Sequence, residues 1–439
     1  MVYLRAVSPA IRDPPMTDPA PRTLARRDVR TLLLAALGGA LEFYDFIIFV
    51  FFAATIAELF FPPDLPEWLR QLQTFGIFAA GYLARPLGGI VMAHFGDRVG
   101  RKRMFMLSVL LMAVPTLLMG LLPTYASIGI AAPLLLLVLR LLQGAAVGGE
   151  VPGAWVFVAE HVPPSRVGLA CGTLTAGLTL GILIGSLVAS GIKSAWSHQA
   201  VLDGAWRIPF VLGGVFGLLA VWLRRFLHET PVFEALRERR ALVEGLPLRQ
   251  VLGGHRQAVA VSMLLTWLLT AGIVVVILMT PTLVQNLFAI PAAVAARANS
   301  AATLALCAGC IVYGLAADRF GVRRVLVIGA AVLAGATAVL YLGLRSAPHQ
   351  IMGLYAAAGF CVGVVGVVPT AMVQAFPAAI RYSGISFAYN VAYAISGGLT
   401  PLAVAFWLRS EPNAAVYYVA AACAVGAAAA GWRRRLKPA

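Results

Sequence analysis

The chain has 439 residues, of which 60% are hydrophobic and 12% are charged, and its mean hydropathy is +0.86. Soluble globular domains are about 45–50% apolar and roughly 25% charged, so this composition excludes a single water-soluble enzyme domain. The net charge of +16 would indicate nucleic-acid binding in a soluble protein, but here the positions of the basic residues decide its meaning. The five cysteines all lie in apolar stretches, which argues against a disulfide framework.

Residues 1–29 are rich in proline and arginine and contain no apolar core, so we predict a disordered cytoplasmic tail. Twelve apolar segments follow, each long enough for the roughly 20-residue helix that spans a bilayer. Such unbroken runs differ from the alternating ten-residue segments of a membrane β-barrel. The sequence therefore predicts an all-α polytopic membrane protein with twelve transmembrane helices. The segments are 31–59, 72–94, 104–122, 131–158, 168–191, 207–227, 257–286, 299–317, 325–344, 350–375, 384–408 and 414–432.

The longest polar break, residues 228–256, divides these segments into a first six-helix bundle, 30–227, and a second, 257–432. Charged side chains recur about four positions apart in this cytoplasmic linker, which predicts a surface helix there. A basic cytoplasmic tail is predicted over residues 433–439.

The basic residues are distributed unequally between the two sides of the predicted bundle. With the N-terminus inside, 26 of the 34 Lys and Arg residues lie on the inner side, 6 lie on the outer side, and Arg85 and Arg140 lie within apolar segments. Cytoplasmic loops of membrane proteins carry such an excess. We therefore predict that both termini are cytoplasmic. The net charge then sets topology, and no nucleic-acid partner is needed to explain it.

An internal repeat relates the two bundles. Residues 96–103, GDRVGRKR, follow the second apolar segment, and residues 317–324, ADRFGVRR, follow the eighth, with Asp318 lying 221 positions after Asp97. Two six-helix halves in parallel orientation are typical of transporters whose substrate site lies between the halves, near the membrane midplane.

The repeated turn predicts a conformational lock. Gly100 permits a tight turn, and Asp97 can accept hydrogen bonds from the N-terminal amides of a neighbouring helix. Arg101 can reach Glu160 across the loop. The alternative is a basic loop that only sets topology, and the second copy at a matching distance makes this alternative less favoured. The residues assigned to the lock are Asp97, Arg98, Gly100, Arg101, Glu160, Arg166, Asp318 and Arg319.

Five charged residues lie well inside apolar segments, away from the segment ends: Glu42, Asp45, Arg85, Arg140 and Glu150. A charge at the bilayer centre costs on the order of 2.5–3.5 kcal/mol, so each should face a cavity or a partner. Glu42 and Asp45 share one helix face, and Glu42 lies at a depth similar to that of Arg140, so these two could pair. Two neighbouring carboxylates do not both ionise easily, and a proton on one can free Arg140 for a substrate carboxylate. The alternative is a static ion network that fixes helix packing.

These residue types define two predicted sites and one packing surface. Protons are predicted to bind at Glu42, Asp45 and Glu150. The predicted substrate-binding residues are Arg140, Gln143, Tyr44, Tyr389, Asn390 and Arg85. The fifth segment carries small residues that would let helices approach closely, and we predict that they form the sliding face between the halves. They are Gly168, Gly172, Gly177, Gly181 and Gly185.

The chain resembles the major facilitator superfamily over nearly its whole length. More narrowly, it resembles the metabolite:proton symporter family, which includes citrate, ketoglutarate, shikimate and osmoprotectant carriers. The residues that carry the resemblance are Glu42-Phe43-Tyr44-Asp45-Phe46, Arg85-Pro86-Leu87-Gly88-Gly89, residues 96–102, Arg140-x-x-Gln143-Gly144, Gly148-Gly149-Glu150, Glu160-His161, Trp206-Arg207-Ile208-Pro209-Phe210, Tyr389-Asn390 and Gly397-Gly398-x-Thr400-Pro401.

The resemblance implies a major facilitator fold and a carrier that alternates access to its two sides and is driven by an ion gradient. It also implies a multi-pass protein of the bacterial inner membrane that functions as a monomer. Two departures from the family pattern lie in predicted site regions. Val151-Pro152 follows Glu150 where the family usually has Trp-Gly, and Gln374 stands where a Glu commonly precedes the Phe-Pro pair.

The sequence contains no G-x-x-x-x-G-K-[ST] phosphate-binding motif, no G-x-S-x-G nucleophile motif and no metal-ligand cluster. We therefore expect no enzyme activity, no cofactor and no metal. We predict a proton-coupled symporter that imports a small polar metabolite, with an organic acid favoured because a buried arginine suits a carboxylate. The alternative is a proton-driven exporter of drugs or other amphipathic compounds.

Overall fold

The computed structural model describes residues 23–239 and 245–432, apart from the side chains of Glu42 and Phe46. The described residues form helices and no strands, and twelve long helices dominate. These are α1 (Arg26–Phe51), α2 (Glu67–Val99), α3 (Arg101–Leu121), α4 (Ala131–His161), α5 (Val167–Ala195), α6 (Arg207–Arg224), α7 (Arg256–Phe288), α8 (Ala292–Phe320), α9 (Val322–Ser346), α10 (Pro348–Val373), α11 (Arg381–Trp407) and α12 (Ala414–Trp432).

Short helices fill several connections. Ala53–Phe60 continues from α1, and two helices, Pro231–Glu238 and Pro247–Gly254, occupy the predicted linker. The first of them covers most of the predicted surface helix. The remaining turns are Tyr125–Ile128, Pro164–Arg166, His198–Ala200, Val201–Ala205 and Ala378–Ile380.

Eleven of the twelve long helices are long and apolar enough to cross a membrane. The twelfth, α11, has 27 residues but is less apolar, because it carries polar side chains that face the other helices. The all-α polytopic prediction is therefore confirmed. Helix α1 begins at Arg26, inside the predicted tail of 1–29, while residues 1–22 and the predicted tail of 433–439 lie outside the described residues.

Two glycines end helices at equivalent points of the repeat. Gly100 has a φ of +134° and separates α2 from α3, and Gly321 has a φ of +90° and separates α8 from α9. Side chains other than that of glycine rarely adopt these values, so both copies of the motif need a glycine here. We call the end of the molecule that carries these two turns and the linker the basic face.

Helices α1–α6 form the first bundle and α7–α12 form the second. Within the first bundle, α2 and α4 approach so closely that their backbones touch. A Cβ atom on Gly144 would overlap the backbone of Gly81, and one on Gly148 would overlap the backbone of Arg85. Small residues permit this approach in membrane helices. The bundles meet most extensively where α2 packs on α11 and α5 packs on α8, and α4 also contacts α11.

The predicted sliding face on α5 is only partly correct. Gly168 and Gly172 pack against α8 of the second bundle. The other three glycines, Gly177, Gly181 and Gly185, pack against α1 of their own bundle. The spacing of these residues turns them to a different side of the helix, so α5 uses its glycines on two surfaces.

Candidate functional site

Asp45 of α1 is buried, with 1% of its surface exposed. Neither of its carboxylate oxygens has a hydrogen-bond partner among the described residues. Both oxygens lie against α6, where a Cβ atom added to Gly213 or Gly217 would contact them. An ionised carboxylate without donors is costly in such surroundings, whereas a neutral carboxyl group is tolerated. The site suits a group that gains and loses a proton as its surroundings change.

Arg140 of α4 is completely buried within the first bundle. Its Nη1 donates a hydrogen bond to Oε1 of Gln143. Its guanidinium carbon lies 4.3 Å from the ring centroid of Phe49 and 5.1 Å from that of Phe78, distances at which a cation is attracted to an aromatic face. The amide and the rings thus hold the guanidinium in one orientation.

Gln143 links Arg140 to the Asp45 region. Its Nε2 donates to Thr116 Oγ1 at 2.7 Å and reaches the main-chain carbonyl of Asp45 at 3.4 Å. No ion pair joins the side chains of Asp45 and Arg140, because the Asp45 carboxylate turns toward the glycines of α6. The predicted pairing of Glu42 with Arg140 falls on a side chain outside the described part of the structure.

Tyr44, a predicted substrate residue, faces the interior of the first bundle. Its hydroxyl donates to the carbonyl of Pro209 in α6 at 2.9 Å, and its ring meets Phe216 edge-on at 5.3 Å. In this conformation Tyr44 therefore packs α1 against α6, and it does not lie at the boundary between the bundles.

Arg85 lies at that boundary, in α2. Its guanidinium carbon lies 5.4 Å from the ring centroid of Tyr82, 5.7 Å from that of Tyr389 and 4.4 Å from that of Tyr393. The rings of Tyr389 and Tyr393 belong to α11 of the second bundle. Trp155 of α4 packs edge-on against Tyr389, with ring centroids 4.9 Å apart. Arg85 is 1% exposed, and no carboxylate among the described residues forms an ion pair with it. A buried cation enclosed by rings from both bundles is suited to meet an anion there.

Asn390 joins the bundles through the backbone of α4. Pro152 has no N–H group, so the carbonyl of Gly148, four residues earlier, has no donor within its helix. Asn390 Nδ2 donates to this carbonyl at 2.7 Å, and Ser386 Oγ approaches it at 3.4 Å. The departure Val151-Pro152 from the family pattern therefore creates an acceptor that α11 uses. Next to it, the Tyr382 hydroxyl donates to the Gly149 carbonyl at 2.6 Å.

Glu150, predicted to bind a proton, is paired with Arg224 at the end of α6. The two side chains are 2.8 Å apart and are both buried. Arg224 also donates to the carbonyl of Phe105 at 2.9 Å and stacks on its ring at 3.4 Å. This pair connects α4, α6 and α3 within the first bundle.

The basic face is closed by a network centred on two carboxylates. Asp97 at the end of α2 accepts a hydrogen bond from the Ser383 amide at 2.9 Å, near the N-terminus of α11, and lies 3.4 Å from Arg101. Glu160 at the end of α4 lies 3.3 Å from Arg101 and 3.0 Å from Arg381 of the second bundle. The predicted contact of Arg101 with Glu160 is therefore present.

The linker takes part in this network. The Thr230 hydroxyl donates to Glu160 at 2.7 Å, and the Lys102 amide donates to Glu229 at 3.2 Å. A Cβ atom on Gly100 would lie 2.5 Å from the Glu229 carboxylate, so a larger residue there would displace Glu229 as well as strain the turn. The linker thus binds the end of the first bundle directly.

Asp318 repeats the arrangement of Asp97 in the opposite direction. It lies at the end of α8 and accepts from the amides of Gly168 and Leu169, at 2.6 and 2.8 Å, in the first turn of α5. Each bundle therefore supplies the carboxylate that caps a helix of the other. Negative charge is stabilised at a helix N-terminus.

Three residues assigned to the lock are exposed at the basic face. Arg166 interacts electrostatically with the Asp318 carboxylate. Among the described contacts, Arg98 bonds to His94 of its own helix at 3.3 Å, and Arg319 lies 5.5 Å from the ring centroid of Phe320.

The polar and ring contacts between the bundles extend from the basic face to the middle of the molecule. Those farthest from the basic face are the stacking of Tyr82 on Tyr393 at 5.9 Å and the approach of Thr179 Oγ1 to Cys307 Sγ at 3.3 Å. Beyond them, residues 23–239 and 245–432 show no such contact between bundles. The two bundles are thus fastened together at the basic face.

Comparison with known proteins identifies the fold. The family model described as Major Facilitator Superfamily matches residues 35–401. The chain belongs to this superfamily. It is a multi-pass membrane transporter and not an enzyme.

Named relatives of this superfamily member cover most of the chain. A putative proline/betaine transporter of Staphylococcus aureus (strain COL) is 30% identical over 407 residues, 92% of this chain and 87% of the relative. The citrate-proton symporter of Klebsiella pneumoniae is 32% identical over 381 residues, 85% of this chain and 84% of the relative. The solved structure of the proton:xylose symporter XylE bound to 6-bromo-6-deoxy-D-glucose has a TM-score of 0.76 and 19% identity, and covers 93% of this chain and 95% of that one. The likeness to the solved structure shows a shared fold.

Sequence reasoning missed several contributors to the site. The count of basic residues on the inner side treats Arg224 as a loop charge. The apolar segment predicted over 207–227 includes Arg224, so its position within a helix was visible in the sequence. Arg381 counts as a topological charge, yet it completes the Glu160 network. Pro152 was a usable signal in the sequence. A proline has no N–H group to donate to the carbonyl four residues earlier, so a helix through this segment leaves the Gly148 carbonyl without its usual donor.

Proposed function

We propose that the protein imports a small carboxylate-bearing metabolite by symport with protons. The observation that carries this proposal is the presence of two buried charged groups that have no ionic partner among the side chains that the structure describes. Asp45 is an acid with no described donor, and Arg85 is a cation at the bundle boundary that forms no ion pair with a described carboxylate. Relatives named for proline/betaine and for citrate with protons support the same general class.

Arg85 is the group that we assign to the substrate carboxylate. Its guanidinium can form two parallel hydrogen bonds to a carboxylate, and its surroundings of tyrosines from both bundles make it accessible when the bundles separate. A substrate bound between the two bundles would then become accessible first from one side of the membrane and afterwards from the other.

Asp45 is the group that we assign to the proton. Its main-chain carbonyl is joined through Gln143 to Arg140. Gain or loss of a proton by the Asp45 carboxyl group can therefore move the helix that carries Arg140. We propose that the basic face is cytoplasmic, in keeping with the charge distribution, and that the described conformation is closed on that side. The proposal includes a bacterial inner-membrane location, a functional monomer, and no cofactor.

Proton flux in liposomes tests the proposal. The purified protein is reconstituted with a pH-sensitive dye in the lumen, and mono-, di- and tricarboxylates, a betaine and shikimate are added one at a time. We expect luminal acidification with one of them. Asp45→Asn should abolish acidification but retain exchange of labelled substrate across the membrane. Arg85→Ala should abolish both, and Arg85→Lys should retain a small part, because an ammonium cannot form the two parallel bonds.

Arg409→Ala is the matched control, since this arginine is exposed at the end of α11 away from the basic face, and it should transport normally. Full transport by Arg85→Ala would contradict the substrate assignment. Gradient-dependent extrusion of a dye from cells, without a response to any carboxylate, would favour an exporter of amphipathic compounds instead.

A further inference from the structure

A groove opens at the basic face between α2, the linker and the second bundle. It has a volume of about 710 Å³. One wall consists of α2 residues that include Val91 and Phe95, and the other consists of the second linker helix with its flanking residues, including Leu246 and Leu252. Ser383 of α11 also lines the groove.

The apolar wall of the groove continues into the surface that faces lipid. Leu83, Leu87, Val91 and Phe95 are spaced four residues apart on one side of α2, and they are 69%, 70%, 54% and 46% exposed. In a membrane protein such a stripe lies against acyl chains. Because Val91 and Phe95 also line the groove, an acyl chain lying on this stripe leads directly into it.

The mouth of the groove is cationic. Arg249 and Arg256 are among its lining residues, and no aspartate or glutamate is. Arg98 lies at the end of α2 next to His94, which also lines the groove. None of these three arginines forms an ion pair with a described carboxylate. An apolar cleft at the membrane boundary, with arginines at its mouth that have no ion pair to a described carboxylate, matches a lipid that has an anionic head group.

We propose that this groove binds one anionic phospholipid of the leaflet at the basic face. The phosphate contacts Arg249 and Arg256, and one acyl chain follows Phe95, Val91 and Leu87 along α2. Basic pockets between transmembrane helices bind lipid head groups in this manner.

The position of the groove couples lipid binding to conformation. Its walls come from α2 of the first bundle and from the linker, α7 and α11, so the complete groove exists only while α2 and α11 are packed together. A ligand that binds one conformation shifts the equilibrium toward it. The bound lipid therefore stabilises the conformation that is closed at the basic face.

Native mass spectrometry of the full chain tests the proposal. The detergent-purified protein is mixed with phosphatidylglycerol or with phosphatidylcholine of the same acyl chains, and bound lipid is counted. We expect one phosphatidylglycerol to remain bound at concentrations at which phosphatidylcholine does not. Since each surface arginine contributes a few-fold to binding of an anionic lipid, Arg249→Gln/Arg256→Gln should weaken it roughly tenfold or more.

Arg237→Gln/Arg239→Gln is the matched control, because it removes two exposed arginines of the same linker that do not line the groove. It should retain the lipid. Val91→Trp fills the apolar wall without changing charge, and it should also lose the lipid. Equal loss in the control, or equal retention of both lipids by the wild type, would overturn the proposal in favour of general surface attraction. Elution of each variant as a single monodisperse species excludes misfolding as the cause.

Discussion

Three buried arginines of the first bundle are stabilised in three different ways. Arg224 is paired with the Glu150 carboxylate, Arg140 with the Gln143 amide and two phenylalanine rings, and Arg85 with tyrosine rings alone. The Glu150 carboxylate neutralises Arg224, whereas no carboxylate among the described side chains forms an ion pair with Arg85. Arg85 therefore retains the capacity to bind an anion.

Removing the charge of Glu150 should destabilise the first bundle. Glu150→Gln leaves the Arg224 cation buried without its carboxylate, and breaking a buried pair in this way costs on the order of 3 kcal/mol. We expect a clearly lower midpoint of thermal unfolding in detergent, measured by circular dichroism.

The double variant Glu150→Gln/Arg224→Met is the control for this effect. It removes both charges and keeps a long side chain on the Phe105 ring, so it should be more stable than Glu150→Gln alone. If the double variant were the less stable of the two, the pair would owe its value to packing and not to charge.

At the scale of whole elements, α4 is the helix on which the site depends. It packs backbone to backbone on α2, carries Arg140 and Glu150, and offers its Gly148 carbonyl to α11. Pro152 is visible in the sequence, and the freed carbonyl follows from it. The capture of that carbonyl by Asn390 could not be predicted, because it depends on how a helix 242 positions away is placed.

Restoring the missing amide should weaken the closed state. Pro152→Ala gives residue 152 an N–H group that competes for the Gly148 carbonyl, and a hydrogen bond contributes about 1 kcal/mol. We expect roughly a fivefold shift toward molecules open at the basic face. Electron-spin resonance distances between labels at Arg103→Cys and Arg323→Cys, in a background without the native cysteines, measure this shift.

Pro115→Ala is the matched control, since Pro115 is a buried proline inside α3 of the same bundle and makes no contact with α11. It should leave the distances unchanged. If Asn390→Ala and Pro152→Ala shifted the distances additively, the two residues would act independently, and the hydrogen bond from Asn390 to the Gly148 carbonyl would not depend on Pro152.

At the scale of the whole molecule, the two bundles are related by the repeat but are not fastened equally. The sequence predicts the twelve spans, the division at the linker and the paired turns, because composition and periodicity determine these features locally. Asp97 belongs to a buried network of ion pairs with Arg101 and Glu160, whereas Asp318 accepts from two backbone amides and interacts with the exposed Arg166. This asymmetry agrees with Gln374, which stands where the family commonly has a glutamate. The contacts of Asp97 and Asp318 could not be predicted from the sequence, because they join residues that are far apart in the chain.

The Asp318 cap should be separable from the Asp97 network. Asp318→Ala removes a charged acceptor from the amides of Gly168 and Leu169, and hydrogen bonds to charged groups contribute about 1.5–3 kcal/mol. We expect amide hydrogen exchange at these two positions to accelerate at least tenfold, measured by mass spectrometry, while exchange at Ser383 stays unchanged. Faster exchange at Ser383 as well would show that the two caps open as one unit.

The backbone contact between α2 and α4 also limits how this protein can change through mutation. At Gly88, Gly144 and Gly148 a Cβ atom would lie only 2.0–2.1 Å from a backbone oxygen of the facing helix, so we expect substitutions at these positions to disrupt the packing of the bundle whatever the substrate. On the proposed assignment of Arg85 to the substrate, we expect new substrate ranges to arise in the side chains around it, where an aromatic ring can be exchanged for a smaller group. A mutant library confined to Tyr82, Trp155, Tyr389 and Tyr393 should therefore contain more altered transporters than one spread over the same helices.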